Sequence, residues 1–214
     1  GARLADAVDL LFLEDGLSLA KLEAAAPNEV KATVKVSDSC RLGEHALRVR
    51  TRGGISEIRT FFVGPFPSVD EVEPNGDFAR PQKISLGVTV SGVVQNEDVD
   101  HFTFEAKKGQ RASAEIEGMR LAGGVFDPYV AILDARRFEL AACDDSALLG
   151  QDSAVSVVIP EDGAYVVLVR ECAYGGSDGS LYRLHVGTFP RPLVAYPAGG
   201  KGGVGRTGRR VFRS

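Results

Sequence analysis

The chain has 214 residues, 44% of them hydrophobic and 25% charged, with a formal net charge of -4. This is globular composition with room for one large or two small cores, and it excludes a chain disordered along most of its length. An acidic balance argues against nucleic acid as the main partner, since phosphate binding needs a concentrated basic face, and no apolar run approaches the roughly 18 residues of a membrane span.

Twenty-five glycines and ten prolines point to many turns, as an all-β chain requires. The chain opens Gly1-Ala2-Arg3-Leu4, with no initiator Met and no signal-peptide pattern, and so reads as cut from something longer. The first strand-like run is Val8–Leu13, closed by the turn Glu14-Asp15-Gly16. Glu29–Val36 follows with strict apolar–polar alternation, then Ala46–Thr51, the turn Gly53-Gly54, and Ile58–Val63 before Gly64-Pro65. One buried and one wet face per strand, at this short spacing, predicts a small sandwich that is a strand short. Residues 64–81 hold Pro65, Pro67, Pro74 and Pro81 among acids and read as an ordered linker and domain boundary.

The second stretch predicts strands at Val88–Val94, Asp100–Ala106, Ala112–Glu117, Tyr129–Leu133, Ser153–Ile159, Tyr165–Arg170 and Leu181–Val186. Turns at Lys107–Gln110, Glu161–Gly163 and Gly175–Gly179 separate several of them. No 3.6-residue pattern appears, so helical crossovers are not expected and the strands suit an antiparallel jelly-roll-like β-sandwich. The fold expected is thus all-β: a partial Ig-like sandwich over residues 1–67, the jelly-roll-like domain over 68–188, and a Gly/Arg-rich tail over 189–214. The second domain should fold alone, and residues 195–214 should be mobile because they offer nothing to bury.

Several landmarks then resemble one family. Glu71-Val72-Glu73-Pro74-Asn75, Gly92 and Asp98-Val99-Asp100-His101-Phe102 resemble the opening of the bacterial pre-peptidase C-terminal (PPC) domain. Asp127–Asp134, the acidic loop Asp144-Asp145-Ser146, Pro160–Tyr165 and Gly179–Leu184 resemble its later landmarks in order. Arg170-Glu171 with Tyr174-Gly175-Gly176 looks like the planctomycete-type form. The preceding segment, with Leu42–Val49, resembles an IPT/TIG immunoglobulin-like module that has lost its first strand, and Tyr196–Gly200 resembles the start of another. The resemblance implies a β-sandwich accompanying secreted peptidases and other extracellular proteins, binding calcium in some members and collagen or polysaccharide in a few.

Calcium takes several oxygen ligands from a flexible loop. Alternation through Glu71, Glu73, Asn75 and Asp77 puts these side chains on one side of an extended segment, and Glu97, Asp98 and Asp100 form a second acidic set at a turn entering a strand. The resemblance carries the calcium ligands onto Glu71, Glu73, Asn75, Asp98 and Asp100, with one departure: Gly76 stands where a further Asn or Asp is frequent. The bland alternative is a solvated acidic linker. Asp144, Asp145, Ser146 and Asp152 read better as a turn than as a second cation site. Tyr129, Tyr174 and Tyr182 are candidates for a ligand platform, with core packing as the default for each.

Other constellations are weaker. Gly199–Thr207 resembles a deviant P-loop, but Arg206 replaces the phosphate-binding lysine and neither a feeding strand nor a following helix is present. His45, His101 and His185 are scattered, with no His-Glu-x-x-His and no nucleophile elbow, so no catalytic residues are assigned and no enzyme activity is expected. Cys40, Cys143 and Cys172 are too few for a disulfide framework or a zinc site. Cys143 and Cys172 fall near the ends of two predicted strands and could meet, although small buried hydrophobes is the reading favoured. The expected function is a non-catalytic structural or adhesive module of a secreted or cell-envelope protein. The alternative is a carbohydrate- or collagen-binding accessory domain of a secreted hydrolase. Partners would be other domains of the same polypeptide, a polysaccharide or an extracellular protein.

Overall fold

The computed structural model describes residues 3–121, 124–147, 149–191, 194–196 and 211–213. The chain forms two compact units, Gly1–Pro65 and Phe66–Ser214. Among the described residues there is no α-helix; every long element is a strand, and the expected all-β class holds.

The first unit contains β1 (Ala7–Phe12), β2 (Leu17–Ala26), β3 (Glu29–Val36), β4 (Gly43–Thr51), β5 (Gly54–Ile55) and β6 (Arg59–Val63). Antiparallel β1 lies on one edge of β4, and β6 and β5 pair with its other edge. Strands β2 and β3 form a separate hairpin. The alternation of β3 appears as alternating exposed and half-buried positions from Glu29 to Val34. Strand β2 was not among the expected elements. Its Ala24-Ala25-Ala26 end has weak strand preference, and pairing with β3 through two register shifts overrides that. The core here is thin: Leu17 is the one buried hydrophobic residue among the described residues of this unit, and His45 the buried polar one.

The second unit opens with β7 (Ser68–Asp70) and β8 (Gln82–Lys83). It continues through β9 (Val88–Val93), β10 (Val99–Ala106), β11 (Arg111–Glu117), a 3₁₀ turn at Met119–Leu121 and β12 (Pro128–Asp134). The remaining long strands are β13 (Glu139–Cys143), β14 (Ala154–Val158), β15 (Gly163–Glu171) and β16 (Leu181–Gly187). Two five-stranded sheets result, ordered β14-β11-β16-β9-β7 and β13-β12-β15-β10-β8. From β9 to β16 successive strands alternate between the sheets except at the β12–β13 hairpin, which is the strand order of a jelly roll. Strands β7 and β8 add parallel pairings at the two edges, on β9 and β10 respectively.

The inward rows follow from period-two alternation. Phe102, Phe104 and Ala106 of β10, Val130 and Ile132 of β12, and Tyr165, Val167 and Val169 of β15 face the core from one sheet. Val88 and Val90 of β9, Ala112, Ala114 and Ile116 of β11, and Tyr182, Leu184 and Val186 of β16 face it from the other. Seven of the eight jelly-roll strands coincide with the expected runs. The eighth, β13, is short and carries Glu139 and two alanines, and a tight turn with Arg137 at φ 69° pairs it to β12.

Residues 66–81 are not a linker, contrary to the sequence expectation. Strand β7 pairs with β9, Glu71 N–H continues that ladder to Ser91 O at 2.9 Å, and the chain then crosses to the other sheet at β8. The prolines and acids form a strap across one end of the sandwich. The expected mobile tail and the P-loop-like Gly199–Thr207 lie mostly or wholly outside the described residues; of that tail, Val194–Tyr196 and Val211–Arg213 form an antiparallel ladder.

Cys143 and Cys172 do not pair, and all three cysteines are free and half-exposed rather than buried. Cys143 sits on β13 and Cys172 directly follows β15, with β12 between those strands. Two inter-strand spacings, roughly 9–10 Å, exceed the reach of a disulfide.

Gly92 shows how tightly one end of the core is built. It lies opposite Tyr182 in the β9–β16 ladder, and a Cβ there would stand 2.5 Å from the Tyr182 hydroxyl oxygen and 2.7 Å from Glu71 Oε2. Any side chain would force one of these groups out. Gly92→Ala is expected to destabilise the second unit by about 1–3 kcal/mol, the usual cost of overpacking, as measured by chemical denaturation.

Candidate metal centre

The strap brings the linker-like acids onto the end of the sandwich. Asp100 begins the inward row of β10 that continues through Phe102 and Phe104, so strand alternation alone points its carboxylate between the sheets. Tyr182 begins the inward row of β16 and places its hydroxyl 2.8 Å from Asp100 Oδ2 and 2.9 Å from Glu71 Oε1. Glu71 enters from the strap: its Oε2 accepts Val93 N–H at 2.9 Å and its Oε1 accepts Asn75 Nδ2 at 3.0 Å. Glu73 Oε2 accepts Asn75 N–H at 2.8 Å, and Asn75 O accepts His101 N–H at 3.2 Å, which ties the strap to β10.

Glu71, Glu73 and Asp100 each direct a carboxylate oxygen to within 4.8 Å of the other two. Asn75 and Asp100 are completely buried, and Asn75 Oδ1 and Asp100 Oδ1 have no hydrogen-bond partner. Tyr182 has one proton and faces two carboxylates, so the pocket holds more acceptor lone pairs than donors. Such a set needs either a shared proton or a cation. Without a cation, burial, then the neighbouring Glu71 charge, push the Asp100 carboxyl up to about 9. Burial and the charges of Asp100 and Glu71 likewise raise the Tyr182 phenol well above its ordinary value. Oxygen-only donors suit a hard cation of calcium's kind: Glu71, Glu73 and Asp100, with Asn75 bonded to both glutamates beside them, could hold it, with water completing the shell.

The structure therefore brings four of the five expected ligands together and places Asp98 elsewhere. Asp98 Oδ1 accepts Val99 N–H at 2.9 Å and its Oδ2 accepts Gln95 N–H at 3.2 Å, closing the turn before β10. It acts on the pocket through charge, as one of the groups raising Asp100. A Cβ at Gly76 would lie 3.9 Å from Asp98 Oδ1, so the side chain absent at 76 would have faced Asp98. Asp77 turns outward, where its bonds to Ala79 N–H and Arg80 keep its carboxyl low. Two contributors were not assigned to the site from the sequence. A glycine inside a strand signals a close approach, and Gly92 fits that rule; nothing local indicates that the Tyr182 hydroxyl reaches the acids.

The remaining candidates resolve differently. Asp152 is completely buried and accepts Gly118 and Met119 N–H at 2.9 and 2.7 Å, fixing the 3₁₀ turn, whereas Asp144 Oδ1 accepts Asp145 N–H at 2.9 Å within its own loop. The acidic loop is thus used for turn-making. Tyr182 is core, while Tyr129 and Tyr174 stack on Arg170, whose guanidinium carbon lies 4.0 and 4.5 Å from their ring centres. His101 is buried beneath Phe78, edge-on at 5.8 Å, and burial lowers its pKa. His185 joins Thr89 Oγ1 at 2.8 Å and Glu117 Oε1 at 3.3 Å, and all three residues are buried. No helix among the described residues is long and apolar enough to cross a membrane.

A jelly-roll sandwich with a strapped acidic pocket at one end defines the class of domain. No family model matches the chain. A stretch of 107 residues is 35% identical to the "Probable subtilase-type serine protease" of Deinococcus radiodurans; it covers 49% of this chain and only 14% of that protein's length. Among solved structures, the pre-peptidase C-terminal domain of a Bacillus anthracis collagenase aligns with 58% of this chain and 98% of its own, at 15% identity and TM-score 0.39. PliG of Aeromonas hydrophila, a periplasmic inhibitor of g-type lysozyme, aligns with 50% of this chain and 95% of its own, at 16% identity and TM-score 0.39.

Proposed function

We propose that this chain is part of a secreted or cell-envelope multidomain protein and serves there as a non-catalytic structural or adhesive segment whose second unit is stabilised by calcium. The reading takes that unit as a PPC domain of the planctomycete-type form, residues 68–188, and the first, residues 1–67, as a partial IPT/TIG module. The observation that carries it is the convergence of the Glu71, Glu73 and Asp100 carboxylates within 4.8 Å, with Asp100 Oδ1 buried and without a hydrogen-bond partner. A buried acceptor without a donor costs roughly 1–3 kcal/mol, and a cation bound among the three carboxylates would satisfy it. Calcium would act here structurally, drawing the strap onto the sheet ends.

A second reading is an accessory domain that attaches a linked peptidase or other hydrolase to polysaccharide or collagen. It is favoured by the alignment with part of a subtilase-type protein and by the Tyr129–Arg170–Tyr174 stack, in which Tyr174 is half exposed. Calorimetric titration of the chelator-treated chain with calcium, followed by co-sedimentation with insoluble polysaccharides and collagen, tests both. The proposal expects calcium binding that Glu73→Ala removes. The second reading further expects retention on a matrix that is lost in Tyr129→Ala and Tyr174→Ala. Absence of calcium binding up to millimolar concentration removes the first reading, and retention unaffected by both tyrosine changes removes the second.

A further inference from the structure

The first unit holds a cluster that none of the preceding reading uses. The β3–β4 loop carries Cys40 and Arg41, and β4 carries His45, whose side chain is 1% exposed. His45 Nε2 lies 3.7 Å from Cys40 Sγ and 2.7 Å from Arg41 O. On the opposite side of the ring, Nδ1 lies 2.9 Å from Glu14 Oε2, close enough for an ion pair although it is not aligned as a hydrogen bond. Arg41 Nη2 holds the same Glu14 oxygen at 2.7 Å. An acceptor thus faces each ring nitrogen, the Arg41 carbonyl at Nε2 and the Glu14 carboxylate at Nδ1.

An imidazolium beside a thiol stabilises the thiolate, and the carboxylate behind the ring orients it; this is the arrangement by which proteins activate cysteine. The glycine across from the sulfur keeps the site narrow: a Cβ at Gly16 would lie 2.8 Å from Cys40 Sγ, and φ of +100° at that residue favours glycine in any case. Cys40 itself stays half-exposed. Cys40 Sγ also donates to Arg41 O, at the long distance of 3.7 Å, and the other two thiols are held differently. Cys143 Sγ donates to Asp145 O at 3.1 Å, and burial together with Asp127 and Asp144 pushes the Cys172 thiol up to about 11.

We propose that Cys40 is a reactive thiol, set up by His45 and Glu14 to exchange with low-molecular-weight disulfides. The Cys40 thiol loses its proton to solvent, and the thiolate sulfur, beside the His45 ring, attacks one sulfur of R–S–S–R along the S–S axis. A Cys40–S–S–R bond forms, the original S–S bond breaks, and the departing RS⁻ takes a proton from solvent to leave as RSH. Cys40 is oxidised and the small disulfide is reduced, so electrons and protons balance.

The test treats the folded full chain with the aromatic disulfide 5,5′-dithiobis(2-nitrobenzoate) and locates the adducts by peptide mapping over time. Cys40 is expected to react on the order of tenfold faster than Cys143 or Cys172, and His45→Asn to slow it by a similar factor. Because His45 is buried and its replacement can disturb the unit, Glu14→Gln provides an independent probe on a partly exposed side chain; it should slow Cys40 severalfold with the circular dichroism unchanged. Equal rates at the three cysteines overturn the proposal, as does a well-folded Glu14→Gln chain that reacts at the wild-type rate.

Discussion

Calcium at 100-fold excess over its Kd is expected to raise the melting midpoint of the second unit by on the order of 10 °C. A ligand that binds only the folded form stabilises it by about 2.7 kcal/mol at 100-fold excess over Kd, and the entropy of unfolding a unit of this size converts that into roughly such a shift. Sites of this chemistry in extracellular modules bind at about 10⁻⁴–10⁻³ M, so the titration must reach on the order of 10–100 mM ion for the full shift, and about 1 mM gives a rise of only a few degrees. All five tyrosines lie beyond residue 128, in the second unit, and tyrosine fluorescence or near-ultraviolet dichroism therefore follows that unit within the full chain. Glu73 is exposed, so Glu73→Ala should leave the metal-free midpoint nearly unchanged and abolish the calcium shift. Replacing Asp144, which serves its own turn, should leave most of the shift. A midpoint indifferent to calcium would reduce the acidic cluster to a strap that tolerates its own repulsion.

The metal-free second unit is expected to lose stability as pH rises from about 4 towards 9. Asp100 has its folded pKa raised to about 9 by burial and by Glu71, far above the ordinary aspartate value. The folded state therefore holds a proton that the unfolded chain has released, and linkage makes unfolding easier with each increment of pH across that interval. The stabilising contribution is fully present below the unfolded pKa, near 4, and is lost as pH passes through the folded value. Its size is at most several kcal/mol, since Glu71 can share the proton and the exposed strap can relax. Asp100→Asn should flatten this dependence and raise the metal-free midpoint at pH 8, because folding no longer requires uptake of a proton while the shape remains. Calcium should flatten it as well, by replacing the proton. Urea denaturation at a series of pH values, with chelator and with calcium, measures both; an unchanged slope in Asp100→Asn would assign the proton elsewhere.

Much of the architecture was legible because strands announce themselves through alternation. Seven of the eight jelly-roll strands coincide with strand-like runs, two of them, His101-Phe102-Thr103-Phe104 and Tyr182–Val186, in clean period-two alternation, and the same parity places Asp100 on the inward row. The failures have local causes. Strand β13 is short and alanine-containing, and β2 ends in three alanines; both exist because a neighbouring strand supplies the ladder. The proline-rich, acidic stretch looked like a linker because prolines lack donors and acids favour water, yet its backbone is satisfied at both ends by parallel pairing to β9 and β10.

The candidate site divides the same way. Local pattern showed two acidic sets, and the family resemblance carried the calcium ligands onto Glu71, Glu73, Asn75, Asp98 and Asp100. Neither showed that the Asp98 carboxylate is engaged by the backbone donors of Gln95 and Val99, or that Tyr182, 82 residues from Asp100, reaches the acids. Which acids meet, which are used by their own turns, and which buried oxygens remain without donors depend on two strands from different sheets and a strap that joins them. The sequence by itself determined the strand alternation and the supply of carboxylates, because both are written in neighbouring residues. Only the tertiary structure decided where the carboxylates converge and how strongly burial acts on them, because desolvation and long-range contact exist only once the sheets have packed.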